Sequence, residues 1–223
     1  MRFDNAVNFC KESSKTLDQL YEMFSKLKKI ELNTLSEKNT VLVIVDMVNG
    51  FAREGALMSK RVEDLIPEIV GISEKCSELG IQKIAFADCH TDLSPEFDAY
   101  PIHCMRDSSE SEVVEEIKNV GGYKLIPKNS TNGFLEQEFQ SWLNQNSAID
   151  TFIVTGDCTD ICVQQFAITL KTWFNMHNRK SRIIVPANAV ETYDLGLHNA
   201  GFMNVMALYN MLINGVEIVE GII

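Results

Sequence analysis

The residues with the greatest chemical capacity fall in Thr151-Phe-Ile-Val-Thr-Gly-Asp-Cys-Thr-Asp-Ile-Cys-Val163. The apolar run up to Thr155 has the pattern of a buried strand, Gly156 breaks it, and Thr159 and Asp160 are helix-start residues. The helix pattern then continues to about His177. Cys162 is thereby placed in a first helical turn, where unpaired N–H groups and the positive end of the dipole favour a thiolate. A sulfur so placed is a candidate nucleophile, although a lone Cys is more often a buried structural residue. Cys158 and Cys162 are four apart with no second such pair, a poor match to a structural zinc site.

Three further groups end apolar runs in the same way. Thr40-Val-Leu-Val-Ile-Val45 is an almost unbroken β-branched run, as in a strand covered on both faces, and Asp46 follows it directly. Ligands in open α/β sheets bind at the carboxyl ends of strands, so Asp46 is a candidate acid/base; capping a helix or satisfying loop N–H groups is the alternative use. Ile84-Ala-Phe-Ala87 leads into Asp88-Cys-His90. In an extended chain alternate side chains share a face, so Asp88 and His90 project together and Cys89 points away. The following loop carries Glu96 and, after Tyr100-Pro-Ile, His103. Asp88, His90, Glu96 and His103 form a mixed nitrogen and oxygen set suited to a divalent metal, zinc first, with manganese or iron as alternatives. Two of the four histidines in the chain flank this loop. Lys128 closes the run Tyr123–Lys128; taken alone, a Lys there is usually solvated.

The elements that must position these groups follow from the rest of the chain. Its 223 residues are ample for one large core, and 45% hydrophobic with 23% charged residues is ordinary for a globular protein. A net charge of -11 argues against nucleic acid as a partner. No stretch approaches the roughly 18 apolar residues of a membrane helix, and the N-terminus has no signal-peptide core. Six scattered cysteines read as reduced thiols, so the expected location is cytoplasmic. Further strands are expected at Arg182–Pro186 and Val216–Val219. Helices are expected over 61–79 (its regular part starting near Pro67), 109–119, 132–144 and 195–213. Within them Val113, Val114 and Ile117, and Phe134, Leu135, Phe139 and Leu143, face inward.

Alternating strands and helices predict an α/β fold with a parallel sheet covered on both faces. Residues 1–36 stand apart as an N-terminal helical extension to a domain spanning 37–223. In that extension Phe3, Val7, Phe9, Leu17, Leu20, Tyr21, Phe24 and Leu27 recur at helical spacing. It is expected to pack on the main body or on a neighbouring subunit, which leaves a homo-oligomer open.

From about Val41 onward the chain resembles the isochorismatase-like cysteine hydrolases, and within them the nicotinamidases. The matching pieces are Val45-Asp46-Met-Val-Asn49-Gly-Phe51, Asp88-Cys-His90, Tyr100-Pro-Ile-His103-Cys, Lys128 and Val154-Thr-Gly-Asp-Cys-Thr-Asp-Ile-Cys162-Val. The last is the most specific. The resemblance implies a Rossmann-like three-layer α/β/α fold with a six-stranded parallel sheet. It implies Cys162 as nucleophile, Asp46 as its proton acceptor, Lys128 as the cation beside both, and an oxyanion hole from the backbone N–H groups of Cys158 and Cys162. It also implies a cis peptide at Asp157–Cys158 and aromatic pocket walls from Phe51 and Tyr100.

The metal set separates nicotinamidases from isochorismatases, which share the triad but lack the ligands. The implied substrate is therefore nicotinamide. The rivals are a hydrolase of another amide or of a vinyl ether, and a non-catalytic binding protein of the same fold. Departures from the family pattern are Val48 and Gly50 where Gln and Asp are common, Glu96 where many members have His, Asp157 for a small apolar residue, and Asn188 for a frequent Asp.

Overall fold

A computed structural model describes residues 5–223; Phe3 of the N-terminal pattern lies outside the described residues. Seven strands form one sheet: β1 (Thr40–Val45), β2 (Gln82–Asp88), β3 (Tyr123–Lys128), β4 (Thr151–Asp157), β5 (Arg182–Pro186), β6 (Val190–Glu191) and β7 (Glu217–Val219). The order is β3-β2-β1-β4-β5-β7, with the two-residue β6 paired to β4, and every pairing is parallel. Six of these are the expected strands, and β6 is the addition.

Period-two alternation divides the core. Leu42 and Ile44 of β1 face one side, packed with Ile66, Ile69, Ile72 and Cys76 of α4 (Ile66–Leu79) and Ile117 of α5 (Glu115–Val120). Val41, Val43 and Val45 face the other. There they meet Phe139 and Leu143 of α6 (Gln137–Gln145), Phe166, Leu170 and Phe174 of α7 (Gln164–Met176), and Met211 of α8 (Ala200–Ile213). Burying each such aromatic or aliphatic side chain contributes roughly 1.5–3 kcal/mol, so both helical layers add to the stability of the sheet between them. The three-layer α/β/α expectation holds.

The amphipathic N-terminal segment forms α1 (Ala6–Phe24) and contacts α8. Leu20 is buried and Leu17, Phe24 and Leu27 are partly so, but Val7, Phe9 and Tyr21 of the same pattern are exposed. No helix among the described residues is long and apolar enough to cross a membrane. All six cysteines are free.

Local turn chemistry shifts several boundaries. After the one-turn α2 (Asn49–Ala52), the pattern over 61–79 divides into two helices, α3 (Lys60–Glu63) and α4, and Pro67 sits in the first turn of α4 as expected. The stretch 109–119 is α-helical only in its second half, with a single 3-10 turn at Ser109–Ser111 before it. Val113 instead pairs antiparallel with Val48, and the N–H of Val114 donates to the Met47 carbonyl, so the β-branched pair is spent on pinning the loop after β1. Residues 133–135 form a 3-10 turn ahead of α6, which leaves Leu135 exposed while Phe134, Phe139 and Leu143 are buried. Residues 195–199 are loop, and α8 starts only after the Asn199 side chain accepts the Phe202 N–H at 2.9 Å.

The strand expected to stop at Gly156 runs on through Asp157. Gly156 has φ +111, and a Cβ there would lie 1.9 Å from the Val45 carbonyl oxygen, so only glycine lets β4 pass β1 at this point.

Candidate active site

The strand order decides which side chains meet. From β1 the chain steps outward through β2 to β3, whereas β4, β5 and β7 lie on its other flank. The switch point between β1 and β4 opens a crevice at the carboxyl ends of the strands. Asp46 follows Val45, whose register partners are Phe86 and Gly156, and Asp88 pairs directly with Lys128. Adjacent strand ends thus deliver a carboxylate, a second carboxylate and an ammonium side by side. The turn after β4 delivers the sulfur.

Lys128 is the hub. Its Nζ lies 2.8 Å from Asp46 Oδ2, 2.6 Å from Asp88 Oδ1, 3.6 Å from Cys162 Sγ and 3.1 Å from the Ser130 carbonyl. Only 1% of it is exposed. Burial disfavours its charge, but the two carboxylates outweigh that and hold it protonated, well above the ordinary Lys range. Burial raises the Asp46 carboxyl to about 6, against the pull of Lys128. Asp46 Oδ1 makes no regular hydrogen bond, and the Cys162 thiol lies within reach of this carboxylate. Asp46 also sits at φ 53, a left-handed conformation uncommon for a residue with a side chain.

Cys162 differs from the expectation in its resting state. Residues Thr159–Val163 form a π turn, closed by the N–H groups of Ile161 and Val163 on the Cys158 carbonyl at 3.1 Å each, and α7 begins only at Gln164. The sulfur is buried, and that burial pushes its thiol well above the ordinary range despite Lys128. The turn does not by itself produce a thiolate. The Asp157–Cys158 peptide is cis. Burial, with Asp46 nearby, pushes the Asp157 carboxyl well above the usual carboxylate range, and the Cys158 thiol donates to its Oδ2 at 3.6 Å.

Beside this group lies the nitrogen and oxygen cluster. Nε2 of His90 and Nε2 of His103 are 3.2 Å and 3.4 Å from Asp88 Oδ2, and one donor atom from each of these three residues falls within 4.8 Å of the others. Glu96 Oε2 lies 3.7 Å from His90 Nε2, and both of those atoms are buried without a hydrogen-bond partner. The opposite ring nitrogens are anchored, His103 Nδ1 on the Pro101 carbonyl at 2.7 Å and His90 Nδ1 near Asn129 Oδ1 at 3.3 Å. The other Glu96 oxygen accepts the Thr131 N–H at 2.8 Å. Outward-anchored imidazoles around a carboxylate are the arrangement of metal ligands, so Asp88, His90 and His103 fit a divalent cation, while Glu96 of the expected set approaches His90 but falls outside this group of three. Burial opposes charge on Asp88, yet Lys128 and the two histidines hold its carboxyl well below the usual range.

Phe51 and Tyr100 line one cavity together with Asp88, Glu96, His103, Cys158 and Cys162. Leu57, Thr131, Ile161 and Tyr193 complete its wall and were not anticipated from the sequence. Tyr193 follows β6, a strand of two residues with no pattern of its own in the sequence, so no local signal pointed to it. Of the departures from the family pattern, Gly50 has a local cause: a Cβ there would lie 2.6 Å from Cys104 Sγ. Asn188 is exposed and packs beside Gly221, away from the cavity lining.

The parallel sheet thus brings a buried Cys, Asp and Lys together beside a histidine–carboxylate cluster, in an α/β fold. The isochorismatase domain model matches residues 40–215, and the chain belongs to that family. It is 28% identical over 201 residues to nicotinamidase 1 of Arabidopsis thaliana, covering 82% of each chain. Among solved structures it resembles N-carbamoylsarcosine amidase from Thermoplasma acidophilum, at 26% identity and a TM-score of 0.67, covering 81% of this chain and 95% of that one. It also resembles pyrazinamidase of Pyrococcus horikoshii in complex with zinc, at 22% identity and a TM-score of 0.67, covering 82% and 99%. Family membership of this kind implies an enzyme acting on a small molecule.

Proposed function

We propose that the protein is a metal-dependent cysteine amidohydrolase that converts nicotinamide to nicotinate and ammonia through a thioester. The observation that carries this reading is the convergence of Asp46, Asp88 and Cys162 on Lys128 Nζ, with Asp88 and Cys162 also lining the cavity shared by His103 and Glu96. The similarity to a nicotinamidase supports the choice of substrate.

In this reading Asp46 accepts the Cys162 thiol proton as the sulfur attacks the carboxamide carbon. A carboxyl that titrates near 6 is matched to that task at neutral pH. The backbone N–H groups of Cys158 and Cys162 receive the oxyanion, a contribution worth about 10²–10³-fold per donor in comparable sites. Lys128 balances the negative charge that appears first on sulfur and then on Asp46. Asp46 then gives its proton to the nitrogen, the C–N bond breaks, and ammonia leaves. Water adds to the thioester with Asp46 again accepting a proton, which releases nicotinate and restores the thiol. Phe51 and Tyr100 flank the ring. A divalent metal held by Asp88, His90, His103 and Glu96, zinc first among the candidates, would supply a Lewis-acid anchor for the pyridine nitrogen.

The test is ammonia release from nicotinamide, with pyrazinamide and isochorismate alongside, on protein of known metal content. Turnover of nicotinamide by metal-loaded protein is expected. The 26% identity with an N-carbamoylsarcosine amidase favours a second reading, hydrolysis of another amide. Metal-free protein that is fully active on such an amide and inert to nicotinamide would establish it in place of the first.

A further inference from the structure

Tyr193 lines the same cavity as Cys162, yet it stands in a loop with little packing of its own: Asp194, Leu195, Gly196 and Leu197 are all exposed. Loops of this kind move unless specific contacts hold them. Here the contacts run straight to the nucleophile turn. The Tyr193 ring stacks on the His198 ring at 4.2 Å between centroids and 10° between planes. His198 Nδ1 lies 2.8 Å from the Tyr193 carbonyl, and Nε2 lies 2.8 Å from Asp160 Oδ2. Both ring nitrogens therefore face oxygen atoms. Asp160 belongs to the π turn that carries Cys162, and its side chain is buried, 6% exposed.

The ties to the rest of the chain point the same way. Asp194 Oδ1 accepts the Ala200 N–H at 2.8 Å, closing the loop onto the start of α8, and Arg61 holds Glu191 at 2.9 Å from the other side. His198 covers one face of the Tyr193 ring, so the cavity is met by the remaining face and edge.

We propose that Tyr193 is a specificity-determining wall that selects planar aromatic amides, and that His198 and Asp160 are positioning residues that clip this wall to the nucleophile turn. The proposal rests on the amidohydrolase reading and deepens it. With Phe51 and Tyr100, Tyr193 makes three aromatic side chains on one small cavity, which suits a flat ring better than an extended aliphatic chain. The clip also makes wall and nucleophile one unit, so that a ring seated against Tyr193 is in register with Cys162.

The experiment uses the full chain loaded with metal and two measurements on each variant. One is KM and kcat for nicotinamide. The other is alkylation of Cys162 by iodoacetamide, which is small, and by 3-bromoacetylpyridine, which carries the aromatic ring. Tyr193→Ala is expected to raise KM about ten-fold, more than it lowers kcat, and to abolish saturation in the alkylation by 3-bromoacetylpyridine. Its iodoacetamide rate should stay within about three-fold of the parent, showing an intact turn, and Tyr193→Phe should behave as the parent. His198→Ala should raise KM in the parent but add nothing in the Tyr193→Ala background, since its effect passes through that ring. Should Tyr193→Ala not fold, Tyr193→Leu takes its place. Retained saturation in the truncated variant, or an additive effect of His198→Ala, overturns the proposal. A parent protein that saturates with 3-bromoacetylpyridine but does not turn over nicotinamide would defeat the substrate assignment and leave the Tyr193 proposal to be decided by the alkylation arm.

Discussion

Asp88 and Lys128 are register partners on adjacent parallel strands, and their side chains meet at 2.6 Å. The second Asp88 oxygen faces Nε2 of His90 and His103. One carboxylate thus joins the histidine cluster to the cation beside the sulfur. Removing it should disable both, whereas removing the cation should disable one. Asp88→Ala is expected to lose bound metal and ammonia release together. Lys128→Met should lose ammonia release and keep its metal. Metal content by elemental analysis, measured beside turnover, checks this pair; an Asp88→Ala protein that retains full metal occupancy contradicts the ligand assignment.

The titration of Asp46 predicts a pH profile. Burial raises its carboxyl to about 6, and the proposed base is the deprotonated form. Activity is therefore present above that pH and falls as pH drops through about 6, as Asp46 takes up a proton. Asp46→Asn should remove this limb from kcat/KM and lower the rate by about 10²–10⁴-fold. A profile with no change between pH 5 and 7 would contradict the role.

Asp157 makes a prediction about stability. Its folded carboxyl titrates well above the usual value near 3.8 because it is buried beside Asp46. Between the unfolded and folded values the native chain binds more protons than the unfolded one, so stability declines as pH rises through that window. Asp157→Asn removes the titration. The variant should melt above the parent by a margin that is smallest near pH 4 and widens toward pH 8. A margin that shrinks over this range would refute the argument.

Gly156 gives a steric prediction. A Cβ at this position would meet the Val45 carbonyl oxygen at 1.9 Å, backbone against backbone, in a conformation that already disfavours side chains. Gly156→Ala should lose more than about 4 kcal/mol and accumulate as insoluble protein. A soluble variant with a melting temperature near that of the parent would show that β4 can move away from β1 without penalty.

Much of this architecture was legible because the strands that carry the site are unambiguous. Thr40–Val45 is buried at every position and reads as a central strand from its β-branched run alone. Once Asp46, Asp88 and Lys128 were placed at strand ends, their meeting followed from the parallel order. What escaped depends on contacts that no local pattern encodes. Val113 and Val114 read with Ile117 as a helix face, but Val113 pairs with Val48 and the Val114 N–H goes to the Met47 carbonyl. β6 is two residues long and exists only because β4 lies alongside it. The place of Tyr193 rests on His198 and, through it, on Asp160, which is 38 residues from His198 in sequence. The buried, protonated thiol of Cys162 likewise reflects its surroundings more than its position in the turn.

The central claim is that the sulfur of Cys162 is acylated during turnover. The direct measurement is rapid acid quenching of the metal-loaded protein with excess nicotinamide, followed by mass spectrometry of the peptide bearing Cys162. The expected result is a nicotinoyl adduct on that peptide, absent from Cys162→Ala, which should also release no ammonia while melting close to the parent. Undiminished ammonia release by Cys162→Ala would contradict the account.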